Sequence, residues 1–116
     1  MEYTHEVIVC IVDAGFSDAV MDAAKEFGAR GGTVLFARGT AGKEAETFFK
    51  ITVQPEKEIV FMLVRAEMRQ DVMKVICAAV LNETGEHALT FSLPVSDVIG
   101  LHKDNGEDKA EKSEEK

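Results

Sequence analysis

Apolar positions along this chain fall into four runs of strand length and two longer stretches with helical spacing. Residues 6–12 carry Val7, Ile8, Val9, Cys10, Ile11 and Val12 without a break and end at Asp13-Ala14-Gly15, so they predict a buried strand running into a turn. Ser17 supplies a helix N-cap, and Val20, Met21, Ala24 and Phe27 then recur at helical intervals until Gly28 and Gly31-Gly32 close the helix. Residues 33–37 and 58–64 predict two further strands joined by a hairpin whose tip falls at residues 40–45. Its return carries Phe48, Phe49, Ile51 and Val53, with residues 52–54 still paired.

Residues 65–83 place Met68, Val72, Met73, Ile76, Ala79 and Val80 on one face of an amphipathic helix that Gly85 stops. Residues 88–95 alternate Leu89, Phe91, Leu93 and Val95 with small or polar neighbours, the pattern of a half-buried strand whose far end Pro94 places at an edge. Val98-Ile99 is expected to add a short strand. The order is that of an α+β, ferredoxin-like βαββαβ unit: an antiparallel sheet with two helices on one face. Since the first and third strands are apolar on both faces, the uncovered side is expected to meet another copy of the chain in a closed ring.

Composition narrows the picture. A chain of 116 residues, 46% hydrophobic and 29% charged, suits one compact domain. The net charge of −8 repels a polyphosphate backbone, so nucleic acid is not an expected partner. In residues 102–116 six acids outnumber four lysines without an apolar anchor, so this tail is expected to be disordered beside a domain at 1–101. The early apolar run is too short for a signal or a membrane span, which predicts a cytoplasmic protein without membrane insertion. Cys10 and Cys77 lack CxxC spacing and sit at apolar positions, so they are expected to be reduced core thiols, with neither a disulfide nor a zinc site.

The stretch with candidate chemistry runs over residues 29–57. Arg38-Gly39-Thr40-Ala41-Gly42-Lys43 joins two cations to glycines that let backbone N–H groups approach an anion; a solvated hairpin tip is the competing reading. It is not a Walker A loop, because Ala37 stands where that motif needs its first glycine and Glu44 where it needs a hydroxyl. His5, His87 and His102 lack metal-binding spacing, and His87 is the one placed to donate to an anion or to change a loop's charge. Glu44, Glu46, Glu56 and Glu58 have no histidine beside them and suit solvated hairpin charges, so catalysis is not expected. Met21, Met62, Met68 and Met73 are expected in the core. Phe48-Phe49 would either pack on the subunit or form a contact for a target.

Several dispersed segments also resemble the PII signalling proteins and their shorter PII-like relatives. They are Gly15-Phe16-Ser17-Asp18-Ala19-Val20-Met21, Ala29-Arg30-Gly31-Gly32-Thr33-Val34 with Ala37-Arg38-Gly39-Thr40, Gln54-Pro55-Glu56-Lys57-Glu58-Ile59-Val60, and Phe91-Ser92-Leu93-Pro94-Val95 with Val98-Ile99-Gly100-Leu101. The resemblance implies a trimer of ferredoxin-like subunits that binds a small effector, AMP, ADP, ATP or a bicarbonate-like anion, in clefts between subunits. A hairpin loop, the family's T-loop, here residues 38–50, would then engage a transporter or a metabolic enzyme. It further implies ligand contacts from Thr33, Arg38, Gly39, Thr40, Gly42, Lys43 and Lys57. The B-loop, here residues 82–88, would add Gly85, Glu86 and His87. That loop has one glycine and no lysine, and Gly100 and His102 stand where the family carries phosphate-gripping arginines, which implies weaker or smaller ligands. The tyrosine that some members uridylylate on the T-loop has no counterpart, since Tyr3 is the chain's one tyrosine. A trimeric divalent-cation-tolerance-like metal-binding protein of the same fold is the alternative.

Overall fold

The computed structural model describes residues 3–40 and 56–101. The elements are β1 (His5–Asp13), α1 (Ser17–Glu26), β2 (Thr33–Arg38), β3 (Glu56–Arg65), a single 3-10 turn (Ala66–Met68), α2 (Arg69–Thr84) and β4 (Leu89–Val95). The sheet order is β2-β3-β1-β4, antiparallel at every junction, so the chain is an α+β unit with the expected split connection. The predicted hairpin tip, the return with Phe48 and Phe49, and the charged tail lie outside the described residues.

Register divides the sheet into two unlike faces. Ile8, Cys10 and Val12 of β1 and Val60, Met62 and Val64 of β3 turn toward the helices, where Val20, Ala23 and Ala24 of α1 and Val72, Ile76 and Val80 of α2 bury against them. The spacing of four between Val72, Ile76 and Val80 is one helical stripe, which is why α2 lies flat on the sheet. Met62 is buried and Met21, Met68 and Met73 pack around this core as expected. Cys10 and Cys77 are both free thiols; burial, and secondarily the nearby Cys77, pushes Cys10 up to about 12.

Four details depart from the expectations. The N-terminus of α1 has no side-chain cap from Ser17, because that residue is already helical and Phe16 holds the N-cap position. Phe27 is 47% exposed while Ala23 is buried, so the helix turns a different edge of its apolar stripe inward. Residues 66–68 form a 3-10 turn ahead of α2, since Arg65 remains extended and Ala66 donates to the Thr4 carbonyl at 2.9 Å. Residues 98–99 form no strand: Ile99 is 96% exposed, and Gly100 follows at a φ of 91°.

The open face carries the alternation of β4. Leu89, Phe91 and Leu93 lie in register with Ile11, Val9 and Val7, while Thr90 and Ser92 turn toward the helices. Together with Leu35 of β2 and Ile59, Phe61 and Leu63 of β3, they make one side of the sheet apolar from edge to edge, with Leu35, Leu89, Phe91 and Leu93 exposed.

Candidate functional site

The β2 rim of that apolar face holds a pocket of about 310 Å³, lined by Val7, Gly31, Gly32, Thr33, Phe61, Met62 and Leu63. Its floor exists because the chain enters β2 through glycine. A Cβ at Gly32 would stand 2.8 Å from the Met21 sulfur and 3.0 Å from the Phe61 carbonyl, so only glycine lets the backbone lie this close to β3. Val7, Phe61 and Leu63 belong to the open face and give flat apolar walls, whereas Thr33 adds a hydroxyl. β2 pairs with β3 alone, so one row of its backbone groups has no ladder partner among the described residues. Apolar walls beside unpaired backbone donors and acceptors suit a flat heterocycle, and the volume lies at the lower end of the roughly 300–1,000 Å³ usual for small-molecule sites.

Arg38 stands at the opposite end of β2, about 17 Å along the strand from Thr33 at some 3.3–3.4 Å per residue. It is exposed and lies in register with Glu56, on the helix side of the sheet; Gly39 and Thr40 follow it out of the strand. Lys57 falls on the other side, in register with Ala37 and Asp13, and its ammonium is ion-paired to the Asp13 carboxylate. Arg38 and Lys57 therefore emerge from opposite faces of one sheet end. Gly42 and Lys43 lie outside the described residues.

Gly85, Glu86 and His87 precede β4, at the other sheet edge from Thr33 and Arg38. Gly85 adopts φ 78° and donates to the Leu81 carbonyl at 2.9 Å, which ends α2 in a left-handed cap. The Glu86 N–H donates to the Thr84 hydroxyl at 3.0 Å, and that hydroxyl donates to the Val80 carbonyl at 2.6 Å. Both N–H groups are thus spent inside the chain, while the His87 side chain is exposed.

Glu58 is the residue that sequence reasoning misplaced. It is a nearly buried side chain, 7% exposed, and one of its oxygens accepts the Ser17 N–H at 3.2 Å. The Ser17 hydroxyl, and to a lesser degree the Gly15 and Ser17 N–H groups, hold its carboxyl below the ordinary value against the opposing effect of burial. Glu58 thus caps α1 from a neighbouring strand, where a negative charge also meets the positive end of the helix dipole. With the Asp13–Lys57 ion pair and the Ala14 N–H donating to the Glu56 carbonyl at 3.0 Å, it ties the start of β3 to the β1–α1 turn. Among the described residues no group of three or more His, Cys, Asp or Glu is close enough together to hold a metal ion.

The family model for nitrogen regulatory protein P-II matches residues 5–105. The chain belongs to that family. Similar solved structures include PII from Arabidopsis thaliana bound to citrate, 26% identical over 84% of this chain and 81% of that one, with a TM-score of 0.64. A putative PII-like signalling protein from Thermus thermophilus is 13% identical over 82% and 90% of the two chains, with a TM-score of 0.56. A DUF3240 family protein from Shewanella baltica is 13% identical over 87% and 100%, with a TM-score of 0.63. No curated protein matches.

Within this P-II family member, sequence reasoning named Thr33 but missed its companions Val7, Gly31, Gly32, Phe61 and Leu63 in the pocket. The available signal was the Gly31-Gly32 pair immediately before a strand, which marks a close backbone approach as well as a helix end. Asp13 carried no signal of its own, since only the strand register brings it to Lys57.

Proposed function

We propose that this P-II family protein is a trimeric regulatory sensor and not an enzyme. Three copies meet across their open sheet faces, a small effector binds in the clefts at the seams, and the loop after Arg38 carries the bound state to a partner protein. The observation that carries this reading is the pocket at Thr33, set on the rim of an apolar sheet face that the helices leave bare. A site on such a rim acquires its second wall from a neighbouring copy, so ligand binding and subunit contact share residues. Large exposed apolar patches mark interaction surfaces.

The base of an adenine nucleotide such as AMP, ADP or ATP would sit between Val7, Phe61 and Leu63 with Thr33 beneath it, and its tail would run along β2 toward Arg38, Gly39 and Thr40. Lys57, and Gly42 and Lys43 in the loop, would surround the loop entrance. Gly85, Glu86 and His87 would approach from the next subunit, because within one subunit they occupy the far edge of the sheet. A bicarbonate-like or carboxylate anion at the Arg38 end is the variant that the citrate-bound Arabidopsis relative favours. Phe48 and Phe49 would supply the contact with a transporter or a metabolic enzyme in the cytoplasm.

A thermal-shift screen over AMP, ADP, ATP, bicarbonate and citrate tests the sensor reading. A ligand confined to the folded state at one hundred times its Kd stabilises by about 2.7 kcal/mol, a rise in Tm on the order of 10 °C for a domain of this size. Thr33→Phe, which places bulk in the pocket lining at an exposed position of the edge strand, is expected to remove the shift. No stabilisation by any of these ligands would overturn the effector site.

A further inference from the structure

The pocket opens on the side of the sheet away from the helices, and one ion pair shares that side with it. Every second residue of β3 points there: Leu63 and Phe61 line the pocket, Ile59 follows, and Lys57 ends the row. Lys57 stands about 13 Å from Phe61 along the strand, at some 3.3–3.4 Å per residue. Arg38, the other described cation at this end of β2 and β3, leaves the sheet on the helix side with its register partner Glu56. A ligand tail that runs from the pocket along the open face therefore ends at Lys57, where Asp13 already holds the ammonium. Resting on the nucleotide reading, we propose that Asp13 is a built-in competitor of the ligand's phosphate, which binds by taking the Lys57 ammonium over from the Asp13 carboxylate.

Register is what places the competitor. Asp13 ends β1 directly opposite Lys57, on the same side as Ile11, Val9 and the pocket residue Val7. The two side chains are 21% and 27% exposed, so water and a ligand both reach them. Lysine presents a point charge with three donors on a flexible stem, which can turn from one oxygen acceptor to another without moving the strand.

The pair can also open without freeing the start of β3. The Ala14 N–H donates to the Glu56 carbonyl at 3.0 Å, and a Glu58 oxygen accepts the Ser17 N–H at 3.2 Å, so two further contacts hold β3 to the β1–α1 turn. Neither uses a side chain of the open face. A phosphate arriving at Lys57 exchanges one charge-assisted contact for another, and the released Asp13 carboxylate hydrates. Asp13 thus lowers affinity for the phosphorylated ligand and leaves the contacts of the base untouched.

Isothermal titration of the full chain with adenosine and with ADP tests this. Asp13→Asn keeps the shape and removes the charge; it is expected to tighten ADP by about fivefold, the upper end for a partly exposed ion pair, and to leave adenosine unchanged. Lys57→Met is expected to weaken ADP alone, and adding Asp13→Asn to it should restore nothing. Unchanged far-ultraviolet circular dichroism shows that each variant is folded. ADP affinity that stays level or falls in Asp13→Asn, or that rises together with adenosine affinity, would overturn the competition while leaving the nucleotide site standing. A gain that persists in the Lys57→Met background would overturn it too, because Asp13 would then act as a general repulsive charge and not through Lys57. Failure of both ligands to bind wild type and every variant would overturn the nucleotide reading itself, and the competition with it.

Discussion

Glu58 shows how a single side chain changes meaning once its neighbours are known. In sequence it is one of four acids around a hairpin, and solvation is the economical assignment for all four. The structure keeps it nearly buried and gives it the Ser17 hydroxyl and backbone donors at the start of α1. Since its folded pKa is depressed, the carboxylate contributes stability that is fully present above the unfolded value near 4.3, and that stability is lost as pH falls through the folded value. Glu58→Gln keeps the shape and removes the charge. It is expected to lower stability at pH 7 by about 0.5–2 kcal/mol, the range for a lost helix cap. Urea unfolding at pH 7 and pH 3 checks the sign: the gap between wild type and variant should narrow at the acidic value. An equal gap at both would show that the charge contributes nothing.

At the scale of elements, β4 hides a polar atom that its alternation does not advertise. Thr90 faces the helices in register with Cys10, and its hydroxyl oxygen is buried without a hydrogen-bond partner among the described residues. An unsatisfied buried hydroxyl costs roughly 1–3 kcal/mol. Thr90→Val is therefore expected to stabilise the chain by about 1 kcal/mol, read as a higher urea midpoint at unchanged slope; a lower midpoint would mean that the hydroxyl is satisfied in solution. The β1, β3 and β4 patterns made these strands legible in advance, because continuous or period-two apolar runs of strand length leave few alternatives. Helix boundaries and caps were less legible. The cap of α1 comes from a residue 41 positions away, and the 3-10 turn before α2 depends on a bond to Thr4, so neither leaves a local trace. The pocket was half legible for the same reason: Thr33 and Gly31-Gly32 are neighbours in sequence, but Val7, Phe61 and Leu63 reach them only through strand register.

For the whole molecule, the decisive quantity is the apolar sheet face opposite the helices. Phe91 and Leu93 remain 41% and 49% exposed, and Leu35 and Leu89 47% and 61%, although all four belong to strands of a folded sheet. At about 25 cal/mol per Å² of apolar surface removed from water, covering such a face with a second copy is strongly favourable. One acidic group placed at its centre would have to be desolvated without a partner. Leu93→Glu leaves the helix-side core untouched, since Leu93 pairs with Val7 on the open side. On the proposed trimer, the wild-type chain is expected to sediment at three chain masses and the variant at one, with unchanged far-ultraviolet circular dichroism. If the pocket takes its second wall from a neighbour, the same variant also loses the ligand-induced thermal shift, although no pocket residue has been altered. Retention of the shift by a monomeric Leu93→Glu chain would place the whole site within one subunit. A wild-type monomer would remove the seam on which the proposed coupling between effector and loop depends.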